Sequence, residues 1–166
     1  MLKRIIGFVW RAVPGRLRRG GVWLIEPRFR VTAAAVVINE AREVLLLKHV
    51  LRKGSGWGIP GGFLEKGEQP EDALRRELRE ETGLEIKSAE IVTARTIGGA
   101  GQIELLFLCY PKTNSRAEAQ SLEIKSARWV ALHQLPPELG HDQRRLIERA
   151  LVKEKDAGNG APQTLR

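Results

Sequence analysis

Cysteine is almost missing from this 166-residue chain, Cys109 being the only one. A single thiol excludes an intramolecular disulfide and a zinc site built from cysteines. It lies in the apolar run LLFLCY and reads as a buried, inert side chain, a usage that fits a reducing cytoplasm. Histidine is scarce too, and His49, His133 and His141 share no metal-ligand spacing. The apolar stretch IIGFVW ends at Arg11 after six residues. That is too short to span a bilayer and poor as the core of a secretion signal, and no clear cleavage site follows it. Internal repeats are absent as well.

Acids are nearly missing from the first thirty residues, where Glu26 stands alone against Lys3, Arg4, Arg11, Arg16, Arg18, Arg19, Arg28 and Arg30. The net charge of +8 therefore resides mostly there, and the rest of the chain is close to neutral. A basic appendage on a near-neutral body suggests an anionic partner for the appendage alone. Leu2, Ile5, Ile6, Val9 and Val13 recur at helical spacing, so residues 2–13 read as an amphipathic helix that Pro14-Gly15 breaks. Through residues 1–30 it could touch an anionic membrane surface, or pack on the domain or on a second subunit of a homodimer. Nothing in it resembles an RNA-binding motif.

What is plentiful is ordinary for a globular domain, with 42% apolar and 29% charged residues. FRVTAAAVVIN (29–39) reads as a strand, residues 39–42 as a turn, and EVLLLKHV (43–50) as the strand returning from it. Residues 51–68 form a glycine-rich loop in which WGIP is a brief extended piece. A helix then runs from Pro70 to a stop at Thr82-Gly83, with Glu71 and Asp72 against its positive end. Residues 84–97 and 102–111 make a hairpin around a glycine-rich turn, and 113–123 an exposed loop. A last strand (126–132), a helix (141–155) and a loose tail follow. Strands and helices mix without regular alternation, which predicts an α+β or mixed-sheet sandwich.

The chemistry gathers on the helix. Glu77, Glu80 and Glu81 stand at i, i+3 and i+4, so three carboxylates share one face. Such a face is either solvated and paired with Arg75, Arg76 and Arg79, or held together by a divalent cation with hard oxygen ligands, Mg²⁺ being the natural one. Gly58, Gly61 and Gly62 would let backbone approach a metal or phosphate closely.

Gly62, five residues, Glu68, seven residues, Arg76-Glu77-Leu78, one residue, Glu80-Glu81, one residue and Gly83-Leu84 together resemble the Nudix box of the Nudix hydrolases at every defined position. The resemblance implies an α/β/α sandwich with a mixed β-sheet over residues 28–155, leaving 1–27 as a basic segment and 156–166 as a flexible tail. It implies a pyrophosphohydrolase in which water attacks a phosphorus of a nucleoside diphosphate derivative. Glu77, Glu80 and Glu81 would ligate Mg²⁺ (or Mn²⁺), with one of them as general base. Arg76 would orient Glu77, Glu68 would brace the loop or reach a second metal, and the Gly61 carbonyl would complete the shell.

Outside the box, Glu104 is the odd charge on an apolar strand and a candidate further metal ligand, with Glu123 as another. Arg52 and Lys53 could contact phosphate, and Trp57 could stack a base or cover the core. The alternative function is a Nudix domain that senses a nucleotide without cleaving it. The residues leave the particular nucleotide open.

Overall fold

The structure is a computed structural model that describes Pro14 and residues 28–52, 54–99, 101–112 and 116–159. The basic segment 1–27 (Pro14 apart), Lys53, Ala100 and residues 113–115 and 160–166 lie outside the described residues.

Strands β1 (Arg30–Val37), β2 (Glu43–His49), β3 (Trp57–Gly58) and β4 (Gly61–Phe63) precede helix α1 (Pro70–Thr82). Strands β5 (Ile86–Ile97), β6 (Gln102–Pro111) and β7 (Ile124–Ala131), a 3₁₀ turn at Leu132–Gln134 and helix α2 (His141–Asn159) complete the chain. One sheet runs β4-β1-β6-β5 and a second β3-β2-β7. The β1–β6 pair is parallel and the other pairs are antiparallel, so the first sheet is mixed.

Two apolar layers make the α/β/α arrangement. Ala73, Leu74 and Leu78 of α1 pack with Ala33, Ala35, Val37, Leu45, Leu47, Phe107 and Cys109. Leu146, Ile147 and Ala150 of α2 pack with Ala34, Val36, Leu46, Leu106 and Leu108. Alternate residues of β1 and β6 thus feed opposite layers, as the period-2 geometry of a strand requires. Each fully buried leucine contributes roughly 1.5–3 kcal/mol of transfer free energy.

Three sequence expectations are corrected. The strand at 43–50 does not return beside β1: it lies in the other sheet, joined by one bridge, Ile38 to Val44. The reason is burial. Residues 33–38 are buried throughout, and a strand covered on both faces takes a central position, here between β4 and β6, with no edge left for β2. The turn is closed instead by Asn39, which donates to Glu43 Oε2 and accepts from the Glu43 N–H, each at 2.8 Å. The glycine-rich loop contains a second short strand, β4, which pairs antiparallel with β1 (Ala34 with Gly61, Thr32 with Phe63). The last helix continues through residues 156–159, which were expected in the tail.

Candidate active site

α1 is built as its sequence foretells. Pro70 occupies its first turn, and Gly83 ends it in the left-handed conformation at φ 70°, donating to the Arg79 carbonyl at 2.8 Å. Leu74, Leu78 and Thr82 succeed one another at i+4 on the buried side, which turns Glu77 and Glu81 toward the β4 edge.

At that edge the backbone and the carboxylates interlock. The Gly61 N–H donates to Glu81 Oε2 at 3.2 Å. A Cβ on Gly62 would lie 2.1 Å from Glu77 Oε1, so the glutamate occupies the space that any side chain there would need. Gly61 itself sits at φ 147°, where a Cβ would lie 2.3 Å from the Ala33 carbonyl oxygen. Both glycines are demanded by close approach.

Arg76 organises the acids around it. Its Nε and Nη2 donate to the two oxygens of Glu68 at 2.9 and 3.0 Å, and Nη2 also donates to the Phe63 carbonyl at 3.0 Å. Nη1 donates to Glu77 at 2.9 Å and more loosely to Glu80 at 3.4 Å. The hydrogen bond from Arg76 holds Glu68 below the usual carboxylate range, and Arg76 is raised in turn. Glu68 also accepts from the Glu65 N–H at 2.9 Å and so ties the loop to α1.

Burial acts against charge on the other two acids. Glu81 is 8% exposed, and desolvation pushes its pKa up to about 7 despite the Gly61 hydrogen bond, with Glu77 adding repulsion. Glu77 is raised as well, chiefly by desolvation and against the pull of Arg76. Glu80 differs: its side chain is 58% exposed. Among the described residues no group of three or more acidic, histidine or cysteine side chains converges in metal-holding geometry. The structure brings Glu77 and Glu81 together at Gly61-Gly62 and leaves Glu80 at the rim. This donor set of two desolvated carboxylates beside close-approaching backbone still fits Mg²⁺, which commonly takes one or two carboxylates and keeps water for its remaining positions.

Beside these acids opens a cleft of about 190 Å³, lined by residues that include Thr32, Arg52, Gly61, Phe63, Glu104 and Gln143. The parallel register sets Thr32 against Glu104, and the antiparallel register sets it against Phe63, so three strands build the floor. Arg52 is exposed at the residue level, yet its guanidinium lies over Gly58, where a Cβ would meet Nη1 at 1.4 Å. Desolvation lowers the Arg52 pKa, while Glu81, Glu104 and Asp142 oppose that shift, which locates its charge among three acids.

Glu104 is pinned. Arg95 donates to it at 2.7 Å and grips both oxygens of Asp142, in the first turn of α2, at 2.6 Å each. The next residue, Gln143, accepts from the Ile59 N–H at 2.9 Å. These two attachments hold the start of α2 against the cleft. Sequence reading missed Arg95, Asp142, Gln143 and Thr32, whose roles depend on contacts between distant segments and leave no local signal.

Trp57 is absent from the cleft lining. It packs beside the α2-side core, with Lys48 Nζ 5.3 Å and Arg128 Cζ 5.6 Å from its ring centroid. Glu123 is exposed and close enough to Glu81 to raise it slightly. Lys53 lies outside the described residues.

A family model of the NUDIX domain matches residues 28–150. The chain belongs to the Nudix hydrolase family. A human 8-oxo-dGDP phosphatase is 33% identical over 144 residues, covering 82% of this chain and 41% of the relative. A MutT-like protein of Streptomyces ambofaciens is 31% identical over 136 residues, covering 81% of this chain and 80% of the relative. This Nudix chain thus spans about two fifths of the length of the first of these relatives. Among solved structures, the NUDIX domain of Shewanella oneidensis NrtR complexed with ADP ribose superposes with a TM-score of 0.70 at 20% identity, covering 86% of this chain and 99% of that one. The fold is therefore the Nudix fold, with the box forming the loop, α1 and the turn after it.

Proposed function

We infer that this domain is a Mg²⁺-dependent hydrolase of a diphosphate linkage in a nucleoside diphosphate derivative. The observation that carries the reading is the juxtaposition of Glu77 and Glu81, both disfavoured as anions by burial, at the Gly61-Gly62 backbone. Acids so placed gain most from a bound cation. When bound, a divalent ion supplies charge neutralisation to the scissile diphosphate.

The chain's own residues supply the rest. Arg76 holds Glu77 in place through its Nη1. Glu81, with a pKa of about 7, suits the transfer of a proton from the attacking water near neutral pH. Water adds to one phosphorus, the bridging oxygen leaves with its electron pair, and both products end in phosphate. Arg52, with no ion pair among the described residues, is free to face that negative charge from the cleft, where Glu104 and Phe63 would border the nucleotide. Mn²⁺ could replace Mg²⁺, since the donors are oxygens. The 8-oxo-dGDP phosphatase relative makes oxidised purine nucleoside diphosphates the first substrates to try, with ADP-ribose beside them.

Incubation with Mg²⁺ and a nucleotide panel, with products resolved, tests the reading. Turnover that disappears in Glu77→Gln/Glu81→Gln is expected, and full activity of that variant would overturn it. A non-cleaving nucleotide sensor is the second reading. It is favoured by the engagement of Glu68, Glu77 and Glu80 by a single arginine. Tight binding of one nucleotide without turnover of any would select it.

A further inference from the structure

Seven large apolar side chains are exposed among the described residues, and five of them, Phe29, Val50, Leu51, Phe63 and Leu122, stand at one end of the molecule. Topology puts them there. β1 runs toward the turn at residues 39–42 and β2 runs away from it, with the Ile38–Val44 bridge beside the turn. The start of β1 and the end of β2 therefore flank the open side of the fold. Phe29 precedes β1, and Phe63 pairs with Thr32 near its start. Val50 and Leu51 follow β2. The register that sets His49 against Ile124 continues in the bond from the Val50 N–H to the Glu123 carbonyl at 2.8 Å, and its next step brings Leu51 level with Leu122. The cleft opens between these two rims, lined by Thr32 and Phe63 from one and by Arg52 from the other.

Single exposed aliphatics are ordinary, whereas a gathering of them around one mouth calls for a partner. Leu51 is 84% exposed and Leu122 99%. The segment that carries most of the charge joins the body at this same end, since Arg28 leads into β1 and residues 1–30 hold eight basic residues against one acid. On the rims, Arg30, Arg52 and Lys125 are exposed beside the acids Glu65 and Glu123. An anionic bilayer meets both demands, offering phosphate to the cations and hydrocarbon to the aliphatics, and two such signals together make attachment stable. A nucleic acid would satisfy the cations and leave Val50, Leu51 and Leu122 in water. A protein partner calls for one continuous patch, but these side chains stand on separate rims across a cleft.

We propose that this end of the molecule docks on an anionic lipid surface, with Leu51 and Leu122 entering the hydrocarbon boundary and the basic residues of 1–30 meeting headgroup phosphates. The cleft then opens toward the headgroups. Docking of this kind needs no assumption about which bond the cleft cleaves.

Cosedimentation of the full chain with phosphatidylcholine vesicles, with and without roughly 30% phosphatidylglycerol, tests this at about 0.15 M salt. Binding to the anionic vesicles is expected, and at least about tenfold weaker binding to the neutral ones. Leu51→Ser/Leu122→Ser keeps every charge, so it should leave the melting temperature unchanged and weaken vesicle binding about tenfold. An environment-sensitive dye on Leu122→Cys, with Cys109 buried, should brighten and shift to the blue on anionic vesicles. The same dye on Ile91→Cys, which pairs with Phe107 in the middle of β5, should not respond. Absence of binding to anionic vesicles, binding that the leucine substitutions leave unchanged, an equal dye response at both positions, or an oligonucleotide that strips the protein from vesicles at equal phosphate concentration would each overturn the proposal.

Discussion

Arg76 and Glu68 meet through two parallel hydrogen bonds, Nε to Oε1 at 2.9 Å and Nη2 to Oε2 at 3.0 Å, which lock the loop before α1 to the helix itself. Because the same guanidinium also reaches Glu77 and the Phe63 carbonyl, its planar fork matters as much as its charge. Arg76→Lys keeps the charge and loses the fork. Mg²⁺ affinity or turnover should fall about 10–100-fold, while the melting temperature drops only slightly. Calorimetric titration of Mg²⁺ beside steady-state kinetics would check the split.

The two box glycines should fail in different ways. A methyl at Gly61 meets backbone, with Ala33 O at 2.3 Å and Ala34 Cα at 2.7 Å, in a conformation side chains rarely adopt. Gly61→Ala should therefore cost roughly 2–4 kcal/mol of stability. A methyl at Gly62 meets first the carboxylate end of the Glu77 side chain, which can swing aside where backbone cannot. Gly62→Ala should fold nearly as stably as the parent yet lose most activity, because Glu77 is pushed aside. Urea denaturation and turnover, measured on both variants, would separate these outcomes.

Glu81 makes stability depend on pH. Its folded pKa, about 7, lies above the ordinary 4.5, so the native state holds the proton more tightly than the unfolded chain does. The stability associated with this group is greatest below pH 4.5 and falls as the pH rises toward 7. In metal-free protein, Glu81→Gln should match the parent near pH 4 and exceed it by about 2–3 kcal/mol at pH 8. Denaturation in EDTA at the two pH values would measure this, and an equal difference at both would count against it.

Arg95 carries the join between β5, β6 and α2. Arg95→Met leaves Glu104, whose side chain is 12% exposed, without its partner and leaves Asp142 with Arg145 alone, at 3.4 Å. A loss of about 1–3 kcal/mol is expected. Since Glu104 and Gln143 border the cleft, KM should rise more than kcat falls, and Arg95→Lys should recover part of both. Kinetics on the two variants would reveal whether the effect stays with binding.

The parts of the site legible in the sequence are those built within one element. Glu77 and Glu81 share a helix face because their spacing demands it, and Pro70 and Gly83 mark the helix ends by their own backbone preferences. The central position of β1 was half-written in its continuous burial. Its neighbours were not, because pairing partners come from distant residues and local turn chemistry pointed to β2. The cleft was least legible. Glu104 stood out as a lone charge, but the arginine that fixes it and the helix turn it joins are far apart in sequence, with Arg95 and Asp142 separated by 47 positions. Trp57 was ambiguous between base stacking and packing, and two cations now flank its ring.

The final carbonyls of α1 have an unexpected keeper. Glu118 and Gln120, in the stretch before β7, donate their N–H groups to the Thr82 and Glu81 carbonyls at 3.0 Å each, and the Gln120 side chain covers Gly83. Glu81 is thus steadied from behind by a surface segment that supplies none of the cleft lining. Shortening or swapping that segment offers protein engineers a dial on hydrolysis that leaves every box residue untouched.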